Sequence, residues 1–164
     1  MTTLHTERLV LRPWQADDYP ALAEFYQEDA NARFVGGVKN ADEAWRALAQ
    51  HMGHWQLQGY GYFAVDERDT GEFVGCVGLW QSAGWPELEL GYWVVPTHQG
   101  KGYALEAALC CRDYAHDQLK AASLVSYIDP VNEPSIRLAE KMGASLDNTI
   151  ELLSYGPHRV YRHF

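Results

Sequence analysis

No apolar run in this sequence is long enough to cross a bilayer. The longest, around "FVGCVGLW" (73–80), falls well short of the ~20 residues a spanning helix needs. The opening "MTTLHTERL" lacks the basic-then-apolar pattern of a secretory signal, so the expectation is a soluble, cytoplasmic protein with no membrane partner. Cysteine is scarce: Cys76, Cys110 and Cys111 are an odd number, two of them adjacent. That is neither a disulfide framework nor a metal-ligand spacing. They are expected to be buried small apolar residues, and no metal is expected. Positive charge is also short, with 13 Lys+Arg against 22 Asp+Glu and a formal net charge of −9. A nucleic-acid binder would need a basic face, so nucleic acid is excluded as a partner. The acidity suits a cationic substrate such as an amine, or simply keeps the chain in solution. Two phosphate-binding fingerprints are missing as well. There is no G-x-x-x-x-G-K-[ST] and no G-x-G-x-x-G.

What is present is one domain's worth of chain, 164 residues with 47% hydrophobic and 21% charged, read as a single domain over 1–164. "RLVLRPW" (8–14) alternates like a strand. Tyr19, Leu22, Ala23 and Tyr26 recur at helical spacing, and "NARFVGGVKN" (31–40) reads as a loop. A second helix follows, with Trp45, Leu48, Ala49, Met52 and Trp55 on one side. "GYFAVDE" (61–67) and "EFVGCVGLW" (72–80) flank the turn "RDTG" as an antiparallel hairpin, and "ELELGYWVV" (87–95) is a third strand. A helix from Tyr103 to Leu119, a strand at 123–129, a short helix at 134–143 and a last hairpin, "TIELLSY" and "HRVYRHF" around "GP", complete the order β-α-α-β-β-β-α-β-α-β-β. This predicts an α/β (α+β) fold, a mixed sheet with helices on its faces.

The stretch "QGKGYA" (99–104) lies between strand and helix. A helix N-terminus presents unpaired N–H groups, and glycines let a ligand approach the backbone closely. Gly100 and Gly102 suit an anion there, with Lys101 as a nearby cation. Strand parity puts Leu88, Leu90, Tyr92 and Val94 on one face and Glu87, Glu89, Gly91 and Trp93 on the other. A carboxylate on a covered central strand is costly unless paired or functional, which makes Glu89 the first candidate for a general base, ahead of Glu87 and His98. The alternative is a glutamate that is exposed or ion-paired. Ser135 shares a helical face with Leu138, Ala139 and Met142 and should point inward; Asn132 is placed to cap that helix. Glu106, in the first turn of its helix, reads as structural.

The pattern Gln99-x-x-Gly102-x-Ala104 after "GYWVVP" resembles the pyrophosphate loop of the GNAT N-acetyltransferases. "TERLVLRPWQADD", "ELGYWVVPTHQGKGYALEA" and "DPVNEPSIRLAEKMGA" are similar, in order, to blocks of its RimJ/RimL-like branch. The resemblance implies a mostly antiparallel central sheet with a splayed parallel strand pair. It implies acetyl-CoA as co-substrate, its pyrophosphate on the N–H groups of Gly100, Lys101, Gly102, Tyr103 and Ala104. Backbone groups of Val94 and Val95 would pair with the pantetheine arm, which Asn132 and Ser135 would flank. Ser135 would be the acid that serves the departing thiolate; the tyrosine that many relatives carry on this helix is missing. Direct attack by a primary amine in a ternary complex is implied, with a protein N-terminal α-amine as the first expectation and a small-molecule amine as the alternative. Trp85, and Phe34 with Gly36 and Gly37, are candidates for the acceptor side, and the last hairpin for a homodimer contact. The rivals are a CoA-binding sensor without chemistry and a protein that uses the same loop for ATP.

Overall fold

The "RDTG" hairpin forms as its residues dictate, with Gly71 supplying the left-handed conformation (φ +75°) that closes the turn. In the computed structural model, which describes all 164 residues, β3 (Tyr62–Glu67) and β4 (Phe73–Trp80) flank it. The other strands are β1 (Leu4–His5), β2 (Leu9–Arg12), β5 (Glu89–Val94), β6 (Val125–Ile128), β7 (Ser145–Glu151) and β8 (Pro157–Arg162). They make one sheet in the order β1-β2-β3-β4-β5-β6-β8-β7, antiparallel throughout except for the pair β5–β6. The helices are α1 (Tyr19–Gln27), α2 (Asp29–Ala32), α3 (Ala41–Gln58), α4 (Tyr103–Asp117) and α5 (Glu133–Lys141). No helix is long and apolar enough to cross a membrane.

Alternation along the strands loads both faces of the sheet. Leu9, Leu11, Phe63, Val65, Leu79 and Leu90 face α4, which meets them with Ala107, Ala108, Cys111 and Ala115. Small residues on that helix allow close packing on the sheet. On the other face Ala64, Cys76 and Trp93 pack under α1 and α3, against Leu22, Phe25, Tyr26 and Leu48. All three cysteines are free thiols, and Cys76 and Cys111 are buried.

Several elements depart from the sequence expectation. Two residues at Leu4–His5 add an edge strand, and Asp29–Ala32 turns once as helix inside what reads as a loop. On α3, Leu48 and Trp55 are buried as expected, but Trp45 and Met52 are 60% and 42% exposed and Ala49 is exposed too, while Ala44 and Ala47 complete the inward face. β7 starts at Ser145 rather than Thr149; it is an exposed, polar edge strand with no hydrophobic alternation to announce it. The turn before β8 therefore begins at Leu152–Leu153, and Pro157 opens the strand.

One cluster fixes the start of α4 against the sheet edge. Glu106 accepts hydrogen bonds from Thr6 Oγ1 (2.6 Å), the Arg8 backbone N–H (2.8 Å) and Arg8 Nε (2.7 Å). Arg8 also donates to the carbonyl of Lys101 at 2.8 Å. Glu106 thus acts structurally, as its position in the first turn suggests. Burial alone would raise its pKa, but the hydrogen bonds from Thr6 and Arg8 outweigh burial and lower it. Glu106→Ala should cost about 1–2 kcal/mol in urea unfolding at neutral pH. That contribution is fully present above the ordinary value of 4.5 and is lost as pH falls through the lowered folded value.

Candidate active site

β5 and β6 stay together for one register position, Glu89 opposite Val125. Val125 N–H donates to Leu88 O (3.1 Å), and then the Ser126 hydroxyl replaces a backbone donor by bonding Leu90 O at 2.7 Å. Beyond Leu90 the strands part. The Val95 N–H is already committed to Val74 O at 2.8 Å, so residues 89, 91, 93 and 95 turn their main-chain groups to β4. Leu90, Tyr92 and Val94 turn theirs into the gap. This corrects the expectation for Val95, whose N–H faces the ladder; Tyr92 and Val94 are the strand residues whose main-chain groups face the gap. The Val94 carbonyl accepts from Gln99 Nε2 at 2.9 Å, so the Gln99 side chain shapes the loop from within.

The glycine loop follows at once. Gly100 (φ +76°) and Gly102 (φ +80°) are both left-handed, and Gly102 is the residue from which α4 starts. The residues that line the space here are Val94, His98, Gln99, Gly100, Gly102, Tyr103, Ala104, Leu105, Leu138 and Lys141, around a cavity of about 220 Å³. Lys141, at the far end of α5, is a cation that sequence spacing did not single out. Lys101 is exposed, with its ammonium 5.8 Å from the Tyr103 ring centre. The Tyr103 side chain turns away from the loop and bonds Glu67, leaving only its backbone for a ligand. His98 is buried at the loop cavity, with Nε2 3.2 Å from Glu72, and does not line the cavity that holds Glu89.

A larger cavity of about 430 Å³ opens where the strands part. Glu89, Gly91 and Trp93 of β5 line it with Tyr26, Phe34, Gly36, His51, Tyr62, Trp80, Trp85, Tyr127, Asp129, Asn132, Ser135, Tyr155 and His158. It brings together the base candidate Glu89, both α5 candidates, and the acceptor-side candidates Trp85, Phe34 and Gly36; no lysine or arginine lines it. The two cavities are neighbours along β5, from Tyr92 to Val94, and along α5, from Ser135 to Leu138.

Glu89 keeps part of its surface open to the cavity and is packed on every other side. That desolvation raises its pKa from 4.5 to about 8, against the opposing effect of hydrogen bonds from Trp85 Nε1 (3.0 Å) and the Tyr127 backbone. Glu87, by contrast, is held by Arg162 through two 3.0 Å contacts, and those hydrogen bonds lower its pKa. It is an ion-paired carboxylate, not a second base. Asn132 caps α5, accepting from Ser135 N–H at 3.4 Å. Ser135 Oγ donates to Tyr92 Oη (3.1 Å), and Tyr92 Oη donates to the Ser135 carbonyl (2.9 Å). Burial raises the Tyr92 pKa to about 12, so it carries its proton at neutral pH. Tyr92 is the residue that sequence reading misses: parity puts it on the core side, and only the opened gap exposes it.

A mixed sheet with one splayed parallel pair, followed by a glycine loop at a helix start, defines a CoA-dependent acyltransferase architecture. The comparisons agree. Residues 8–145 match the family model described as an acetyltransferase (GNAT) domain. The chain is 30% identical over 152 residues to the uncharacterized protein YkkB of Bacillus subtilis, covering 91% of this chain and 88% of that one. A crystal structure of an acetyltransferase from Agrobacterium tumefaciens superposes with a TM-score of 0.91 at 35% identity, covering 100% of this chain and 95% of that one. At 15% identity the fold is shared with RimL, a ribosomal L7/L12 alpha-N-protein acetyltransferase in complex with coenzyme A, with a TM-score of 0.80 and coverage of 98% and 97%. The chain belongs to the GNAT acetyltransferase family, and its fold is consistent with the RimJ/RimL-like branch. It is an acetyltransferase with acetyl-CoA as co-substrate.

The Trp85 contact has a measurable consequence. Because Trp85 Nε1 favours the charged form of Glu89, Trp85→Phe should move the Glu89 titration further above about 8 in carboxyl-detected NMR. An unchanged or lower midpoint would show that the carboxylate does not feel this donor.

Proposed function

We propose that the protein acetylates a compact primary amine that enters the 430 Å³ cavity as a cation and meets Glu89. The observation that carries this is a carboxylate with a pKa near 8 at the foot of an aromatic-walled cavity that no lysine or arginine lines. Aromatic faces and the Asp129 carboxylate favour a cation there, joined by Glu89 once it is ionised. The volume suits a small ligand.

The roles follow from the chemistry. Acetyl-CoA supplies the activated acetyl group. The left-handed glycines open the start of α4 so that the N–H groups of Gly100 to Ala104 cradle the pyrophosphate, with Lys101 and Lys141 nearby. The gap-facing N–H groups of Tyr92 and Val94 pair with the pantetheine arm like an added strand, and one polarises the thioester carbonyl. Asn132 and Ser135 flank that arm from α5. Alkyl and N-terminal amines have pKa values of about 8–10, so a proton must leave before attack. Glu89, once ionised beside the entering cation, takes it. The Ser135 hydroxyl, which rests on Tyr92 Oη, turns to the departing sulfur, gives it a proton and is reprotonated from solvent.

A second reading has its own support. Phe34, Leu153 and Tyr155 at the cavity are 37%, 56% and 58% exposed, an apolar rim on which a peptide could rest while its α-amine reaches Glu89. A CoA-binding sensor needs neither, and a costly desolvated carboxylate would serve no purpose in it. The test is release of free thiol from acetyl-CoA across aryl-alkyl amines, polyamines and N-terminal peptides. Glu89→Gln should lower turnover on the best amine by about 10²–10⁴-fold with acetyl-CoA affinity unchanged. The variant should also be at least as stable as the wild type at pH 8. A glutamate whose folded pKa is raised above 4.5 costs stability as pH rises towards that raised value, and glutamine removes the cost. Full turnover by Glu89→Gln would contradict the assignment.

A further inference from the structure

Three residues on neighbouring strands lie in a row. Tyr62 on β3 is opposite Gly78 on β4, and Gly78 is opposite Gly91 on β5. Two adjacent glycines leave a trough on the sheet, and the Tyr62 side chain lies along it. A Cβ on Gly91 would collide with the Tyr62 hydroxyl and sit 2.9 Å from Cζ and 3.1 Å from Cε1. Gly91 is therefore required by the ring above it, not by its own backbone. Glu89 is two residues along the same strand face, so the phenol and the carboxylate share one wall of the cavity.

The ring is fixed but the hydroxyl is not used. His51 meets the ring edge-on at 5.3 Å and 66°, and Trp80 lies over it at 6.1 Å and 30°. Burial lowers the His51 pKa to about 4, so it is neutral and does not compete with a cation. Neither a backbone carbonyl nor a side chain accepts from Tyr62 Oη, and that oxygen is not sealed off among the unpartnered buried atoms. A rigidly held phenol without a protein partner at the edge of a reaction cavity is free to take a ligand as its partner.

We infer that Tyr62, reaching over Gly91, hydrogen-bonds the acceptor nitrogen and makes the enzyme selective for primary over N-alkylated amines. This rests on the amine reading above. A primary ammonium offers three N–H groups. One faces Glu89, which takes that proton as the lone pair is freed; a second donates to Tyr62 Oη, which keeps its own proton throughout. Once that proton has gone, rotation about the C–N bond puts the two remaining N–H groups on a Glu89 oxygen and Tyr62 Oη and turns the lone pair towards the opened end of β5. A neutral N-methylated amine has only one N–H for these two acceptors, so with the lone pair so turned its methyl group takes one of the two places and, at the Tyr62 side, presses on the phenol.

The experiment compares wild type with Tyr62→Phe on the panel amine with the highest kcat/KM and on its N-methyl homologue, with thermal unfolding and acetyl-CoA titration as controls. The expected result is a fall of about 10–100-fold in kcat/KM for the primary amine, with a much smaller fall for the N-methyl homologue, so that the preference collapses. The KM for acetyl-CoA and the unfolding temperature should stay as in the wild type. Equal kcat/KM in both proteins, or an equal loss on both amines, overturns the role of Tyr62 and leaves amine acetylation intact. A loss accompanied by weaker acetyl-CoA binding or lower thermal stability assigns Tyr62 to the fold and overturns it too. A wild type that acetylates no amine of the panel overturns both readings together.

Discussion

A backbone N–H or C=O that leaves its ladder inside a protein must be satisfied elsewhere, and the site is organised around that constraint. β5 and β6 are hydrogen-bonded at Glu89–Val125 and part immediately afterwards. The Ser126 hydroxyl takes the Leu90 carbonyl, and Gln99 takes that of Val94. The main-chain groups of Tyr92 between them have no strand beside them, and a ligand with amides of its own can supply one. The same divergence opens the larger cavity above Glu89 and brings the start of α5 under Tyr92. The cofactor track and the acceptor cavity are thus two consequences of one broken strand pair.

Charge is arranged along that track. Lysines stand at the loop end, at Lys101 and Lys141. Carboxylates stand at the other end, at Glu89 and Asp129, among aromatic walls. A net charge of −9 says little by itself, but its distribution separates a lysine-bearing end from a carboxylate-bearing end. Desolvation at Glu89 trades stability for a carboxylate that titrates near neutral pH.

The parts of this site that depend on local sequence are legible without the structure. Gly100 and Gly102 announce a left-handed loop, Asn132 a helix cap, and strand parity sets Glu89 apart from the α4-facing core. Contributions that depend on strand pairing are not. Tyr62 matters only because β3, β4 and β5 align it with two glycines, a register no single stretch reveals. Tyr92 gains its role from the gap, and Lys141 from where α5 ends. The direction of Val95 follows from which residues of β5 pair with β4, a choice parity of side chains leaves open. Trp45 and Met52 fit the same helical stripe as the buried Leu48 and Trp55, yet α3 turns Ala44 and Ala47 inward in their place.

The central claim is that the opened strand pair and the left-handed loop together bind acetyl-CoA. Titration calorimetry of the wild type and Gly102→Val with acetyl-CoA, using ATP as control, tests it most directly. Gly102 sits at φ +80°, where any side chain is strained, so the variant must distort the loop. The account predicts wild-type binding of about micromolar strength, no comparable binding of ATP, and affinity at least about tenfold weaker in the variant. Equal affinity in both proteins, or ATP binding as tightly as acetyl-CoA, would contradict it.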